Sequence, residues 1–309
     1  MNPINNFSGL TTALNALNIH KHIVAICASD PHTQYAVQRA VREGFASFTL
    51  IGNKDFLKPY EAELNLIKDK IEIIDIKSAD EAAWAAVRMI RAGKADVLMK
   101  GIINTDNLLH IILDRKEGLM LHDHVLSHVA VVKIPTYNKM LFVSDAAVIP
   151  KPSYSQFIAE INYAIGICSR FGIDKPRISL LHCVEKVNSK FPYTMDYKEL
   201  IAKANRGEFG DVIMDGPLDL SISCSKEAAN IKRVESPING EADILIFPNI
   251  ESGNIFYKSV ALFAKAEMAG TLQGTACPVI VTSRGDSKET KYYSLAMACL
   301  TSQKYEINN

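Results

Sequence analysis

Ser283-Arg284-Gly285-Asp286-Ser287 lies between an apolar run, CPVIVTS (277 to 283), and a segment of helical period that comes after it. A strand that passes into a helix in this way presents free backbone N–H groups and the positive end of the helix dipole, and both attract an anion. Arg284 can offer a planar, two-pronged donor to phosphate oxygens, and Ser283 adds a hydroxyl. Asp286 and Ser287 are ready helix caps. The same residues also suit a solvated surface arginine beside an ordinary cap, and the local sequence leaves both readings open.

Other polar loops come directly after apolar runs. In FPNIESGNIFYK (247 to 258), Asn249, Ser252, Gly253 and Asn254 stand between a strand and an amphipathic helix. Gly253 permits close backbone approach and Asn254 can donate and accept near the first helical turn, while Ser252 is equally an ordinary N-cap. MDGPLDLS (214 to 221) carries the stiff turn Gly216-Pro217 and then Asp219, a base or a cap. MKGIINTDNL (99 to 108) sets Lys100-Gly101 at a strand end ahead of Asn104 or Thr105 as a cap, so that Lys100 meets a phosphate or lies in solvent. His122, His124 and His128 lack a fourth ligand and a zincin motif, and read as surface or strand-edge histidines with no metal site. No GxGxxG comes after a strand, and neither GxxxxGK[ST] nor GxSxG occurs. Dinucleotide binding by the usual fingerprint, P-loop chemistry and α/β-hydrolase chemistry lose ground accordingly.

The elements that must position these loops alternate along the chain. HIVAICA (22 to 28), ASFTLIG (46 to 52), IEIIDI (71 to 76) and ADVLMKG (95 to 101) read as strands buried on both faces, with helices near 31 to 43, 55 to 68 and 79 to 92 between them. Ser78 and Glu81 form a capping-box pattern for the third helix. VAVVKIP (129 to 135) and KMLFVSD (139 to 145) suggest a hairpin. Pro150 and Pro152 then mark a linker, and Ser153 and Gln156 cap a helix closed by Gly172. Strands resume at RISLLHC, DVIMDG, ADILIFP and CPVIVTS, with helices near 196 to 206, 222 to 231, 253 to 268 and 288 to 301. This is βαβ logic, and it predicts two α/β domains with mainly parallel sheets and a cleft between them: 1 to 150, and 151 to 287, with the final helix (288 to 309) free to pack back on the first.

Composition agrees with a globular chain of 309 residues, 48% of them hydrophobic, long enough for two cores. Lys+Arg and Asp+Glu are both 34, which removes the long-range positive field that nucleic-acid binding needs. The six cysteines show no CxxC and no metal-ligand spacing, and read as reduced, mostly buried small hydrophobes. No signal-peptide pattern and no apolar run of about 18 residues occurs, so a cytoplasmic protein without a membrane partner is expected.

DGPLDLSISCSKEAA (215 to 229), ADILIFPNIESGNIFYKSV (242 to 260), AGTLQG (269 to 274) and PVIVTSRGDSKETKYYSLAMA (278 to 298), in this order, resemble the phosphate acetyl/butyryltransferase family over nearly the whole chain. The SKEAA block and the TSRGDS ending look more like its butyryl branch. The resemblance implies a fold of the isopropylmalate dehydrogenase type and reversible transfer of a short acyl group between CoA and phosphate through a ternary complex. CoA is then a substrate, no cofactor stays bound, and a homo-oligomer is expected. Ser283 matches the family's serine near the reacting carbonyl, and Arg284 its phosphate-binding arginine. The aspartate that acetyl enzymes carry seven residues beyond that serine is here Thr290, which leaves Asp286, Glu289 or a residue of the other domain to manage the thiol proton. Ala146 stands where acetyl enzymes often have a cysteine. Substrate contacts are expected at Gly216, Asn249, Ser252, Gly253, Asn254, Lys258, Gly274 and Gly285, with Lys100 from the N-terminal half. Competing readings are an acetyl-specific enzyme, a non-catalytic acyl-CoA binder, and a metal- and NAD-dependent hydroxy-acid dehydrogenase, which needs a cluster of aspartates that Asp215, Asp219 and Asp243 do not form in the sequence.

Overall fold

The computed structural model describes residues 3–283 and 285–303. In chain order the elements are α1 (Phe7–Ala16), β1 (Lys21–Ile26), α2 (Pro31–Arg42), β2 (Ala46–Gly52), α3 (Glu61–Asn65), β3 (Ile71–Asp75), α4 (Ala79–Arg91), β4 (Val97–Lys100) and α5 (Thr105–Ile112). They continue with β5 (Ser127–Lys133), β6 (Leu141–Ser144), α6 (Tyr154–Arg170), β7 (Arg177–Leu181), α7 (Pro192–Asn205), β8 (Ile213–Leu218), α8 (Leu220–Cys224), α9 (Lys226–Lys232), β9 (Ile244–Ile246), α10 (Ile250–Ala264), β10 (Glu267–Gln273), β11 (Val279–Ile280) and α11 (Lys288–Thr301). Local chemistry sets many of these limits. Pro31 at the first turn of α2 loses no needed N–H, and the Asp30 carboxylate caps that helix at Thr33. Ser153 and Gln156 form the reciprocal capping box of α6. Pro59 breaks the helix expected over 55 to 68 into a 3₁₀ stretch, Lys54–Tyr60, and the short α3.

The chain falls into two compact units. A split unit joins Phe7–Leu126 to the chain from Met268 onward, and a central unit holds Ser127–Glu267 with the chain start up to Asn6. The division therefore lies at 126/127 and again at 267/268, away from the boundary expected at 150. Pro150 and Pro152 do interrupt regular structure, but β5 and β6, which precede them, pair with each other, and β6 pairs in turn with β9, so the hairpin belongs to the central unit.

In the split unit the strand order is β3-β2-β1-β4-β11-β10. β1 pairs in parallel with β2 and β4, and β11 in parallel with β4, while β10 runs antiparallel to β11. β3 is the edge strand and is half exposed, contrary to the expectation of burial on both faces. In the central unit the order is β5-β6-β9-β7-β8, parallel except for the β5–β6 hairpin. β10 occupies residues expected to end a helix at 268; Lys265, at φ 51°, stops α10 and turns the chain into it.

α11 is buried around most of its circumference, as a helix enclosed by others must be. The Lys291 ammonium donates to Asp30 Oδ1 (3.1 Å) and Thr33 Oγ1 (3.0 Å) of the α2 start. The Tyr292 hydroxyl donates to the Glu43 carboxylate under the Arg39 guanidinium, 3.8 Å from the ring centre. Phe7 of α1 stacks on Tyr293 at 4.5 Å. These contacts fix the helix whose first turn adjoins the Ser283 loop. Among the described residues no helix is long and apolar enough to cross a membrane.

Candidate active site

β4 and β11 are neighbouring parallel strands in the register Leu98↔Val279 and Met99↔Ile280. Their carboxyl ends therefore release Lys100 and Val281-Thr282-Ser283 side by side, where ligands of parallel α/β sheets bind. A pocket of about 520 Å³ opens there, lined by Lys100, Ile103, Asn104 and Asp106 on one side and by Thr282 and Ser283 on the other. Lys100, expected either in solvent or on phosphate, is only 3% exposed, so its ammonium is a buried charge in the pocket wall. The Asn104 side chain accepts from the N–H groups of Asp106 (2.8 Å) and Asn107 (3.3 Å), capping α5 at the pocket's edge. Thr282 is buried, and its hydroxyl has no hydrogen-bond partner.

The Ser283 loop is held by its own polar groups. Asp286 Oδ2 accepts from the Ser283 N–H (2.7 Å), the Asp286 N–H donates to the Ser283 carbonyl (3.2 Å), and Gly285 N–H donates to Ser283 Oγ (3.3 Å). Ser287 caps α11 by accepting from Thr290 N–H (3.1 Å), and Thr290 Oγ1 lies 3.1 Å from its hydroxyl. Asp286 therefore braces the loop and leaves the cap to Ser287, while Thr290 is tied into that cap. His32 Nδ1 lies 3.0 Å from the Asp286 carbonyl. Arg284 falls outside the described residues. Gly285 has space for a side chain, since an added Cβ would meet only Ser283 Oγ at 3.9 Å. Gly274, at φ 91°, needs to be glycine for its backbone, and its carbonyl accepts from Leu121 N–H (3.2 Å).

The loop at 247 to 258 belongs to the central unit and divides its labour. Asn249, not Ser252, is the N-cap of α10, accepting from the Ser252 N–H at 2.9 Å, so the helix starts three residues before the expected 253. Asn249 and Ser252 line a second pocket of about 880 Å³ over the ends of β7, β8 and β9, walled by Phe191, Tyr193, Phe247 and Phe256. His182 in its wall is kept neutral to lower pH than an ordinary histidine by burial. Gly253 and Asn254 face elsewhere. A Cβ on Gly253 would lie 2.2 Å from the Asp145 carbonyl oxygen, and the Asn254 amide donates to the Ala146 carbonyl (2.9 Å). They clamp the turn after β6, whose centre is the buried Asp145 carboxylate. It accepts from Ser127 Oγ (2.9 Å), His128 N–H (2.9 Å), Ala147 N–H (2.7 Å) and Val148 N–H (2.9 Å). Sequence reasoning missed Asp145; its signal was an acidic residue directly after a strand and ahead of small residues, the pattern of a turn-bracing carboxylate.

The remaining candidates are structural in character. Gly216 packs against Leu180, 2.7 Å from where its Cβ would stand. Lys258 is exposed on α10. Asp219 caps α8 at Ile222 N–H (2.8 Å) and pairs with Lys232; burial opposes its ionisation, but these donors outweigh it and hold the carboxyl below the usual range. His128 is buried within β5, a correction to the surface reading, whereas His122 and His124 are exposed. The cysteines are all free; Cys183 is exposed and Cys27 and Cys224 half-buried, so the expectation of burial holds for the other three.

Known proteins share this architecture and its sequence. Residues 77–299 match the family model described as phosphate acetyl/butaryl transferase. A phosphate butyryltransferase of Clostridium beijerinckii is 36% identical across 97% of this chain and 98% of its own. A phosphate acetyltransferase of Thermotoga maritima is also 36% identical, across 91% of this chain and 95% of its own. The crystal structure of a branched-chain phosphotransacylase from Enterococcus faecalis V583 superposes with a TM-score of 0.80 at 31% identity, covering 92% of this chain and all of that one. Full-length identity at this level, carried on a fold whose parallel strand ends bring Lys100 and Ser283 together, makes this chain a member of the phosphate acetyl/butaryl transferase family.

Proposed function

We propose that this chain catalyses reversible transfer of a short acyl group between CoA and inorganic phosphate, with the pocket between β4 and β11 as its phosphate site. The observation that carries the reading is the shared pocket of Lys100 and Ser283, remote in sequence and brought together by one pair of parallel strands. A buried ammonium and a helix start favour a phosphate dianion, and the Ser283 hydroxyl can donate to the carbonyl oxygen as it gains charge. Arg284, next in the chain, adds a charge-assisted donor in this proposal. Attack of a hydrogen phosphate oxygen on the thioester carbon forms the C–O bond. Collapse of the tetrahedral intermediate breaks the C–S bond, and the proton lost by phosphate ends on the CoA sulfur. CoA enters and leaves as a substrate, and no resident cofactor takes part in the proposal.

The test is phosphate-dependent release of CoA from butyryl-CoA, monitored with a thiol reagent; absence of release from every short acyl-CoA tried would sink the reading. A butyryl enzyme and an acetyl enzyme are each 36% identical to this chain, so a series from acetyl-CoA to isobutyryl-CoA decides the acyl group. Each methylene in such a pocket changes kcat/KM by about 10- to 200-fold. A homodimer belongs to the same proposal. Of the residues of α10 only Gly253 is buried, while Ile255, Leu262 and Phe263 form an exposed apolar stripe that a second copy of the chain can cover.

A further inference from the structure

The strand order β3-β2-β1-β4 reverses direction at β1, and the loops leaving β1 and β4 stay joined above the strand ends, Gly101 N–H donating to the Ile26 carbonyl (2.7 Å) and Ile102 N–H to the Cys27 carbonyl (2.9 Å). Over the ends of β1 and β2, on the other side of that joint from the anion pocket, lies a second recess of about 470 Å³, a size ordinary for a small-molecule site. Its floor is Cys27 and Gly52 at the ends of β1 and β2, and its walls include Leu57, Pro59, Phe56 and Ile102. Phe56 is 62% exposed and Ile102 half-exposed, so both leave apolar surface open at this slot.

Slot and anion pocket share one ridge. Ile102 lines the first and its neighbour Ile103 the second. The ridge is fixed, because Gly101 lies so close to the loop after β1 that a Cβ there would be 2.2 Å from the Cys27 carbonyl oxygen. Charge separates the two recesses. At the slot's rim Lys77 is paired with Asp55 and Asp75, each at 3.2 Å, and the α2 start is already capped by the Asp30 carboxylate. A phosphate finds no favourable seat there, whereas Lys100 and the α5 start lie across the ridge. Asn53 Oδ1 accepts from Asp55 N–H (3.0 Å) and the Lys77 ammonium (2.8 Å), which leaves the NH₂ end of its amide as a donor for a ring nitrogen.

We propose that this slot seats the adenine ring of CoA, with Phe56 and Ile102 against it, Asn53 at its edge, and the pantetheine arm directed over the Gly101–Ile103 ridge so that the thioester faces the phosphate pocket. The assignment rests on the acyl-CoA reading above, since of the substrates in that reaction only CoA carries a neutral planar heterocycle. Phe56 supplies stacking that removal of its ring abolishes and a tryptophan restores.

The test compares butyryl-CoA with butyryl-pantetheine, which lacks the nucleotide. Phe56→Ala raises KM for butyryl-CoA about tenfold or more, Phe56→Trp restores it, and the rise is confined to the substrate that carries adenine. Equal effects on both substrates, or none on either, would overturn the slot. Calorimetric titration with adenosine 3′,5′-bisphosphate separates this from failure of the acyl-transfer reading. Binding that Phe56→Ala weakens tenfold supports the slot even if no acyl-CoA is turned over, and no binding to the parent protein overturns it.

Discussion

Two carboxylates in this chain would look alike in sequence and do opposite things. Asp286 is bound by the Ser283 N–H and sets the shape of the loop that carries the proposed catalytic serine. Asp286→Asn keeps an oxygen for that bond, so a brace survives the change with kcat within about threefold of the parent, whereas a general base loses orders of magnitude; steady-state turnover with Asp286→Ala alongside tells the two apart. Glu160 on α6 is fully buried, and neither carboxylate oxygen has a hydrogen-bond partner. Burial, reinforced by the Asp145 charge, pushes its pKa well above the usual range. Because the folded state holds this proton more tightly than the unfolded one, the group's contribution to stability is complete below about pH 4.3 and is lost as pH rises through the raised folded value. Glu160→Met removes that loss, so the variant is more stable than the parent by about 1–3 kcal/mol at pH 7, with a narrower gap near pH 4. Urea unfolding at the two pH values checks this, and an equal gap at both contradicts the titration argument.

At the scale of elements, two of the four site glycines expected from sequence, Gly253 and Gly285, have unlike roles. Gly253, in the first turn of α10, lies against the Asp145 carbonyl, and its alanine variant must push apart the helix and the turn after β6. It costs about 1–3 kcal/mol of stability. Gly285→Ala meets nothing closer than 3.9 Å and leaves the melting temperature within about 2 °C. Thermal denaturation of the pair provides the comparison. Both glycines look equally functional in the sequence because a close backbone approach is made by residues far along the chain, here Asp145, that no local pattern announces. What the local pattern does contain came through well. Ser78, Ser153 and Ser287 cap the helices they precede, and β2 runs over the residues its apolar run marks. Capping and burial periodicity are properties of neighbouring residues. The identity of the α10 cap was less legible, since Asn249 and Ser252 both suit the position and only the backbone shows which side chain accepts.

At the scale of the molecule, the division of the chain was the least legible feature, because prolines report where regular structure stops and not which sheet a strand joins. Leu126 and Met268 carry no such mark, yet the chain changes units beside each. The same scale holds the last consequence of α10. A helix of 15 residues that buries only one of them gains little from its own unit, and Phe263, 80% exposed, adds an aromatic face to solvent. Ile255, Leu262 and Phe263 recur at helical spacing, so one face is apolar and is suited to pack on its twofold-related copy. In a twofold interface every substitution acts twice. Loss of a buried Phe side chain costs about 1.5–3 kcal/mol per copy, so Phe263→Glu weakens a dimer by at least two orders of magnitude, with the added penalty of opposing carboxylates. The expected result by sedimentation equilibrium is a dimeric parent and a Phe263→Glu variant that is monomeric at micromolar concentration with an unchanged circular dichroism spectrum. A dimer that survives the substitution moves the interface off α10, and a monomeric parent removes the second copy altogether.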